Sequence, residues 1–403
     1  MQVVKNITND IFFVGGSDRR IALFENAYPV PEGMTYNAYV LVDEKIAILD
    51  TVDSAISDMF FENIEAVLNG RTPDYVVVNH MEPDHCATLD ELLLRYPATK
   101  LVCNAKTKAL IGQFFPKLQL PEEQYLLVKE GDTLSLGQHE LQFIMAPMVH
   151  WPEVMVTYDK TDKVLFCADA FGTFGAAKGG IFADENGFDS YDFSEARRYY
   201  TNIVGKYGMQ VMALLKKAAT LDIQYLCPLH GPVWRENIDA FLQKYALWGS
   251  YTPEEKGVVI AYASIYGGMQ NAAELLAAQL AQKGVRNIEL FDTSKTHPSY
   301  ILSEAFRLSH LVFASVTYNN GLFPAMETLL SDIQAHMLKN RKVALIGGGS
   351  WAPQSGKIMT EIVSKFPAVE LLEPQVTVRS RVSEENVQEL SQLATVLAES
   401  LAE

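Results

Sequence analysis

The chain has 403 residues, of which 48% are hydrophobic and 20% charged, and its formal net charge is −16. This composition is typical of a globular protein with two domains, because a single hydrophobic core rarely serves more than about 250–300 residues. Its negative charge repels nucleic-acid phosphates and anionic lipid, so we expect neither nucleic acid nor membrane as a partner.

Two further features bound the class of protein. No apolar run approaches the roughly 18 residues needed to span a bilayer, and residues 1–6 lack the apolar core of a signal peptide, so we expect a cytoplasmic protein. The cysteines show no C-x-x-C spacing, which favours buried packing over disulfides or a zinc or iron–sulfur site, with a redox role as the alternative. They are Cys86, Cys103, Cys167 and Cys227.

The first elements along the chain are short strands and one helix. Apolar runs at 39–42 and 46–50 around a polar turn predict a hairpin, and residues 55–68, closed by Asn69-Gly70, predict a helix. The β-branched run 74–78 predicts a buried strand. These elements lead into the most informative segment of the chain.

Residues 80–85 carry four side chains that can bind metal: His80, Glu82, Asp84 and His85. We expect Pro83 to bar a regular helix here and to hold the chain turned, so that the side chains converge beyond the sheet edge. A polar loop that happens to be rich in His and acid is the alternative. Without a cation, however, such groups would repel one another or shift their pKa values, so the pattern favours a metal site.

More donors follow later strands. After a helix at 89–95 and a strand at 100–103, strands at 141–145 and 163–167 precede His150 and Asp169, and His230 follows the run 226–229. Four imidazoles and three carboxylates are more than one divalent ion needs, so two ions sharing a carboxylate fit the count. The mixture of strands and helices, with polar groups at strand ends, predicts a layered αββα sandwich.

Other residues near this pattern have less specific readings. Trp151, Phe171 and Phe174 flank the candidate ligands and could enclose a dry pocket, with ordinary packing as the alternative. The remaining histidines show no acidic cluster around them in sequence, so we expect them to be surface or core residues. They are His139, His297, His310 and His336.

A polar hinge at residues 251–256 separates this region from a regular alternation of strand and helix, which predicts domains at 1–252 and 253–403. Strands are expected at 257–263, 287–291, 311–315, 342–346 and 369–372, and helices at 271–283 and 384–401. Five such strands predict a flavodoxin-like, doubly wound parallel sheet with the order 2-1-3-4-5.

Three segments at strand ends of this second domain predict a flavin site. Residues 264–271 place a Gly-Gly step at a helix start, where backbone N–H groups suit a monophosphate, and lack the Lys-Ser/Thr pair of a triphosphate loop. Segments 315–321 and 347–353 would converge with it, so FMN is the matching cofactor; a plain strand–helix turn is the alternative. The candidate contacts are Ser264, Ile265, Tyr266, Gly267, Gly268, Met269, Ser315, Thr317, Tyr318, Asn319, Asn320, Gly321, Gly348, Gly349, Ser350 and Trp351.

The order His-x-Glu-x-Asp-His, then His, Asp and His-Gly-Pro, resembles the metallo-β-lactamase-like domain of flavodiiron proteins. Hydrolases of that fold carry His where Glu82 stands, and a harder oxygen donor is better suited to iron than to zinc. The resemblance implies His80, Glu82 and His150 on one iron, Asp84, His85 and His230 on the other, and Asp169 bridging.

The second domain resembles the same family through residues 317–324 and the Trp-Ala-Pro step that begins at Trp351. Many members carry a hydroxyl residue where this chain has Met269, so Ser264 and the backbone would hold more of the phosphate.

The resemblance also implies an activity and partners. Electrons would pass from FMN to the di-iron centre and reduce dioxygen to water or nitric oxide to nitrous oxide. Because the chain stops after the flavodoxin-like unit, we expect an external donor such as rubredoxin, and the family implies a head-to-tail homodimer or a dimer of dimers. The alternatives are a di-metal hydrolase with an accessory flavodoxin domain, which Glu82 argues against, and an electron carrier or gas sensor without turnover.

Overall fold

A computed structural model describes residues 3–185 and 193–403. It divides into two compact units: unit 1 comprises residues 1–200 and 209–246, and unit 2 comprises residues 201–208 and 247–403. In the part of the chain so described, no helix combines the length and apolar character needed to cross a bilayer.

The strands are β1 Lys5–Asn6, β2 Ile11–Phe13, β3 Gly16–Asp18, β4 Leu23–Phe24, β5 Tyr28–Pro29, β6 Met34–Tyr36, β7 Tyr39–Val42, β8 Ile46–Leu49, β9 Tyr75–Val77, β10 Lys100–Cys103, β11 Tyr125–Leu127, β12 Thr133–Ser135, β13 Glu140–Met145, β14 Met155–Asp159, β15 Val164–Phe166, β16 Tyr225–Cys227, β17 Glu255–Ala263, β18 Ile288–Asp292, β19 Leu308–Tyr318, β20 Gly321–Leu322, β21 Arg341–Gly349, β22 Val369–Leu371 and β23 Val376–Arg379. The α-helices are α1 Ser57–Leu68, α2 Pro83–Cys86, α3 Leu89–Arg95, α4 Ala105–Phe114, α5 Ser194–Tyr199, α6 Gly208–Ala218, α7 Ile238–Ser250, α8 Gly268–Gln282, α9 Pro298–Arg307, α10 Pro324–Ala335, α11 Ser355–Val363 and α12 Glu384–Ala402.

The two large sheets of unit 1 share one hydrophobic core, and two short two-stranded sheets, β3-β6 and β4-β5, accompany them. The first large sheet has the order β1-β2-β7-β8-β9-β10-β11 and the second the order β12-β13-β14-β15-β16. Leu49 and Val77 from the first sheet lie in the same buried cluster as Phe143 and Phe166 from the second. Burial of such side chains between facing sheets is the main force that holds a sandwich together.

Several local predictions for unit 1 are confirmed. Strands β7 and β8 form the expected antiparallel hairpin, and β9 joins β8 in parallel. Helix α1 ends as predicted, because Asn69 adopts the left-handed conformation with φ 45° and Gly70 follows with φ 84°.

The expectation that Pro83 bars a helix is wrong. Residues Pro83–Cys86 form the single helical turn α2, which begins at Pro83. Proline is tolerated there because that N–H has no partner within the helix in any case, and its fixed φ suits the helix start.

Unit 2 is a doubly wound sheet. Its strand order is β18-β17-β19-β21-β22, which confirms the predicted order 2-1-3-4-5, and these neighbours all pair in parallel. Helices α8 and α12 cover one face, where Leu276 and Leu393 pack into a cluster with Ile260 and Val312.

The predicted strand ends in unit 2 were too short. Strand β19 continues to Tyr318 and β21 to Gly349, so residues 315–318 and 347–349 belong to strands and not to loops. A fragment missed in the sequence, β23, pairs in parallel with the glycine-rich end of β21. The ladder partners of Gly347 and Gly348 explain why these residues remain extended despite the low strand propensity of glycine.

Candidate metal centre and cofactor cavity

The metal-competent residues of unit 1 follow the ends of neighbouring strands. His80 follows β9, Asp169 follows β15 and His230 follows β16. Asp50, directly after β8, fixes the start of this region: its Oδ1 accepts the N–H of Asn79 at 2.7 Å and that of His80 at 3.2 Å, and its Oδ2 accepts Asn79 Nδ2 at 2.7 Å. The backbone that carries His80 is therefore held to the adjacent strand end.

Four residues form a first cluster: His80, Glu82, His150 and Asp169. Glu82 Oε2 lies 3.2 Å from His80 Nε2 and 3.0 Å from His150 Nε2. Asp169 Oδ2 lies 3.1 Å from His150 Nε2 and 3.4 Å from His80 Nε2. Two imidazole nitrogens and two carboxylate oxygens thus converge on one point.

A second cluster comprises Asp84, His85 and His230. The Nε2 atoms of His85 and His230 are 3.0 Å apart, and Asp84 Oδ2 lies 3.2 Å from His230 Nε2. The other oxygen of Asp169, Oδ1, lies 3.1 Å from His85 Nε2 and 3.8 Å from His230 Nε2. Asp169 therefore directs one oxygen to each cluster, and the structure brings all seven predicted residues together.

Several buried carboxylate oxygens in these clusters lack a hydrogen-bond donor among the described residues. Within residues 3–185 and 193–403, both carboxylate oxygens of Asp84 and Oδ1 of Asp169 have no hydrogen-bond donor although they are buried. Unpaired buried oxygens are costly, and divalent cations satisfy such sites with carboxylate and imidazole donors. The arrangement fits two divalent metal ions that share Asp169.

Electrostatics favour the metal-binding protonation state of the carboxylates. Burial would by itself raise the pKa of Asp169, but the neighbouring His85 and His80 hold it well below its usual range. Burial opposes ionisation of Glu82 too, and hydrogen bonds with His150 and His80 lower its pKa. Ionised carboxylates are the form that coordinates metal.

Two partners of the histidines were missed in the sequence. Glu153 Oε1 accepts hydrogen bonds from His80 Nδ1 at 2.8 Å and from the N–H of Met81 at 2.9 Å. The carbonyl oxygen of Thr35 accepts a hydrogen bond from His230 Nδ1 at 2.7 Å. An isolated acid three residues after His150 gives only a weak sequence signal, and a backbone carbonyl gives none.

The aromatic surroundings differ in part from expectation. Trp151 packs edge-on against His80 with ring centroids 5.4 Å apart, and Phe24 and Tyr199 lie 5.1 and 5.5 Å from His230. Phe174 packs against Phe24 and Tyr199, one layer back from the clusters.

Phe171, which also flanks the ligands in sequence, packs instead against Phe241 and Tyr245. The wall of the site therefore comes largely from residues 24 and 199, which are distant in sequence from the metal motif.

Glu25 lies in the turn between β4 and β5, beside Phe24. Although Glu25 is exposed as a residue, partial desolvation of its carboxyl and the negative charge of Glu82 raise the pKa of Glu25 to about 8.

His139 is a satisfied core residue, one of the two expected states, but the expectation that it has no acidic cluster around it is wrong. His139 Nδ1 lies 3.1 Å from both oxygens of Asp159, and Asp162 joins the same group. Since Asp159 Oδ2 also accepts the N–H of Asp162, this is a hydrogen-bonded ion pair that closes a turn.

Unit 2 contains a cavity of about 700 Å³ at the carboxyl ends of β17, β19 and β21. This volume lies within the usual range of about 300–1,000 Å³ for cofactor pockets. Twelve of the predicted residues line it: Ser264, Ile265, Tyr266, Gly268, Met269, Thr317, Tyr318, Asn319, Asn320, Gly349, Ser350 and Trp351. Val316, Ala352, Val378 and Ser380 line it as well and were not predicted.

Four predicted contacts do not line this cavity: Gly267, Ser315, Gly321 and Gly348. Ser315 is fully buried in β19. Gly348 is covered by Met269, whose Sδ would lie 2.4 Å from a Cβ at position 348. Strand geometry explains the misses at Ser315 and Gly348, because alternate residues of a strand point to opposite faces.

The cavity has the features of a flavin mononucleotide site. Ser264 Oγ is buried directly after β17 and has no hydrogen-bond partner in the described part of the chain, so it is free to bond a phosphate. Tyr266 and Trp351 are 99% and 89% exposed at the rim. Thr317 Oγ1 accepts the N–H groups of Gln354 and Ser355, and so caps α11.

Comparisons with known proteins agree with both sites. Residues 34–231 match the family model of the ODP family beta lactamases, and residues 260–369 match the flavodoxin model. The anaerobic nitric oxide reductase flavorubredoxin of Vibrio vulnificus is 31% identical over 86% of this chain and 70% of its own. An uncharacterized protein of Methanocaldococcus jannaschii is 29% identical over 98% of both chains.

Solved structures give the same result. Rubredoxin oxygen:oxidoreductase from Desulfovibrio gigas superposes with a TM-score of 0.92 over 99% of both chains at 27% identity. The flavodiiron protein of Giardia intestinalis shares the fold, with a TM-score of 0.92 over 99% of this chain and 97% of its own at 23% identity. With two clusters of metal-competent side chains that share Asp169 and a flavodoxin-like cavity in one chain, the protein belongs to the flavodiiron protein family.

Proposed function

We propose that this protein is an oxidoreductase that reduces dioxygen to water, nitric oxide to nitrous oxide, or both, with electrons passed from FMN to a non-haem di-iron centre. The observation that carries the proposal is Asp169, whose two oxygens each face a cluster of two imidazoles and one carboxylate. The relative from Vibrio vulnificus is named for nitric oxide reduction and that from Desulfovibrio gigas for oxygen reduction.

The chain's own residues hold the two cofactors. His80, Glu82 and His150 would hold one iron and Asp84, His85 and His230 the other, with Asp169 shared between the two. Ser264, the backbone at the start of α8 and the cavity residues of segments 316–320 and 349–352 hold FMN. Bound FMN supplies two electrons and the two irons supply one each, which is the number that full reduction of dioxygen requires.

Other residues control water and protons around the clusters. Trp151, Phe24 and Tyr199 cover the imidazoles and exclude bulk water. Tyr199 Oη has no hydrogen-bond partner among residues 3–185 and 193–403, and burial raises its pKa well above the ordinary value, so it holds its proton inside the site. Both gas reductions consume protons, and Tyr199 Oη is one place where the chain stores one.

The proposal extends to organisation and partners. We assign the di-iron function to residues 1–252 and the FMN function to residues 253–403, in a cytoplasmic protein. The exposed rings of Tyr266 and Trp351 at the cavity rim support a covering subunit, as in a head-to-tail homodimer or dimer of dimers. A rubredoxin or similar carrier would be the electron donor, by analogy with the name of the Desulfovibrio gigas protein.

The test is single-turnover mixing of the anaerobically reduced protein with dioxygen or nitric oxide. We expect a yellow protein with two irons per chain and rapid flavin reoxidation that is lost in Glu82→Ala and Asp169→Ala. Glu130→Gln, which removes an exposed carboxylate paired with Lys217, is the control and should reoxidise normally. Zinc in place of iron, or unchanged reoxidation in both ligand variants, would contradict the proposal.

A further inference from the structure

The two metal clusters have the same donors but different surroundings. Each contains two imidazoles, one terminal carboxylate and one oxygen of Asp169. Their coordinating groups therefore carry equal charge. Any difference between the two metal positions must come from groups behind the ligands.

Such a difference exists at Nδ1, the ring nitrogen of these histidines that does not face the metal position. His80 Nδ1 bonds a carboxylate, Glu153 Oε1, at 2.8 Å, whereas His230 Nδ1 bonds a neutral carbonyl, that of Thr35, at 2.7 Å. His85 Nδ1 is buried without a hydrogen-bond partner in the residues described. A carboxylate is thus hydrogen-bonded to a histidine of one position, whereas in the described parts of the chain neither histidine of the other position has a carboxylate hydrogen-bonded to its Nδ1; the buried carboxylate of Asp50 acts on His85 only through space.

Hydrogen bonds hold Glu153 in place. Its Oε1 also accepts the N–H of Met81, and Asn104 Nδ2 donates to its backbone carbonyl. The residue is 1% exposed, and its Oε2 has no donor within the described ranges. Its charge is therefore poorly screened by water and acts mainly on His80.

We propose that Glu153 is a positioning residue that makes the His80–Glu82–His150 position the more electron-rich of the two, so that this position is oxidised first. A carboxylate hydrogen-bonded to Nδ1 raises the basicity of the ligating imidazole, and negative charge stabilises Fe(III) over Fe(II). The step is a one-electron oxidation of one Fe(II) to Fe(III), and the electron goes to the gas under the proposed function, on which this inference rests.

The main experiment is a redox titration of the iron-loaded protein, followed by electron paramagnetic resonance of the one-electron-oxidised form. Glu153→Gln keeps an oxygen acceptor but removes the charge, so we expect the first oxidation to move to higher potential and the gap between the two iron steps to narrow. Equal shifts of both steps, or no shift with both irons retained, would overturn the proposal.

Asp159→Asn is the matched control. It also removes a buried carboxylate bonded to a histidine, but it lies at the opposite end of β14 from Glu153. Both iron potentials should stay at their wild-type values in this variant. A shift like that of Glu153→Gln would mean that loss of net charge or stability, and not the bond to His80, causes the effect.

A second measurement tests the proposal if the Glu153→Gln variant binds iron too weakly for a redox titration. Stepwise Co²⁺ binding to the metal-free protein against a competing chelator should show about 10- to 100-fold weaker binding at one step only in Glu153→Gln. In an Asp84→Ala background, where the His80 position is intact, the loss should persist; in Glu82→Ala it should disappear. The same loss in both backgrounds would overturn the assignment.

These results are separable from the proposed function. A wild-type protein that binds two metal ions but reduces neither gas would contradict the proposed function. The comparison of Co²⁺ affinities would still decide whether Glu153 distinguishes the two positions.

Discussion

At the scale of single residues, the metal centre depends on groups that never touch a metal. Asp50 is the clearest case, because its carboxylate takes three hydrogen bonds from Asn79 and His80 while being 1% exposed. Asn79 in turn accepts from Thr157 Oγ1 and, through its carbonyl, from the N–H of Met155. This chain of bonds ties the strand end before His80 to the second sheet.

We predict that Asp50→Ala lowers both stability and metal retention. The change leaves buried donors of Asn79 and His80 unpaired, at a cost of about 1–3 kcal/mol each, and frees the backbone of His80. Thermal unfolding of the metal-free protein and metal loss to a chelator measure the two effects. Asp50→Asn keeps one acceptor oxygen and should be milder; equal effects of Ala and Asn would contradict this account.

His139 gives a pH prediction. Its hydrogen bonds to Asp159 raise the pKa of His139 from 6.5 to about 9. Because the folded-state value is the higher one, the stabilisation is complete below about pH 6.5 and is lost as the pH rises through 9. The stability difference between wild type and Asp159→Asn should be roughly 2 kcal/mol at pH 6 and should shrink by pH 9.5.

Urea unfolding at a series of pH values checks this behaviour. His139→Gln should remove the same pH-dependent component, because it cannot be charged. A wild-type minus Asp159→Asn difference that stays constant from pH 6 to 9.5 would show that the pair is not ionic.

The residue scale also shows what the sequence could reveal. His80, Glu82, Asp84 and His85 were predictable because residue type, spacing and position after a strand agreed. Glu153 was not predictable, since one acid among 49 acidic residues carries no pattern. Its role depends on a bond to His80 across 73 positions, which only the fold creates.

At the scale of elements, the second unit shows how close packing shapes the cavity. Helix α8 lies against the glycine-rich end of β21, and Met269 occupies the space beside Gly348 that a side chain would need. Met269 is only 3% exposed, so its side chain is part of the packing between helix and strand. This packing explains why the chain has Met269 where many family members carry a hydroxyl residue.

We predict that Gly348→Ala weakens FMN binding and destabilises the protein. The new Cβ would lie 2.4 Å from Met269 Sδ and 3.5 Å from the carbonyl oxygen of Val378, and overpacking of this kind costs about 1–3 kcal/mol. Fluorescence titration with FMN and thermal unfolding measure both effects. Met269→Ala combined with Gly348→Ala should recover much of the loss, and no recovery would contradict the contact.

The predicted element boundaries were correct where local residue preferences agreed and wrong where local preference competed with strand pairing. Helix α1 ended as predicted because Asn69 and Gly70 both favour left-handed backbone. The ends of β19 and β21 were missed because polar and glycine residues predict loops locally, whereas pairing with neighbouring strands keeps them extended. Tertiary pairing decided the outcome.

At the scale of the whole molecule, the boundary near residue 252 remains a prediction that the fold makes testable. Unit 2 includes residues 247–252 as well as 253–403. Arg341, 2% exposed, donates from Nη1 to the carbonyl of Tyr251 at 2.8 Å, and its other donors bond the carbonyls of Ala305 and Phe306 at the end of α9. Nη1 also donates to the carbonyls of Lys339 and Asn340, so a residue before the predicted boundary supplies one of its three acceptors.

We therefore predict that a fragment of residues 247–403 is more stable than one of residues 253–403. The shorter fragment loses the Tyr251 acceptor of Arg341 and the bond from Trp248 Nε1 to Glu254 at 2.6 Å, and each lost hydrogen bond should cost about 0.5–1.5 kcal/mol. Urea unfolding with and without FMN gives the comparison. In Arg341→Met, which has no guanidinium to satisfy, the advantage of the longer fragment should fall, and an undiminished advantage would assign it to other contacts of residues 247–252.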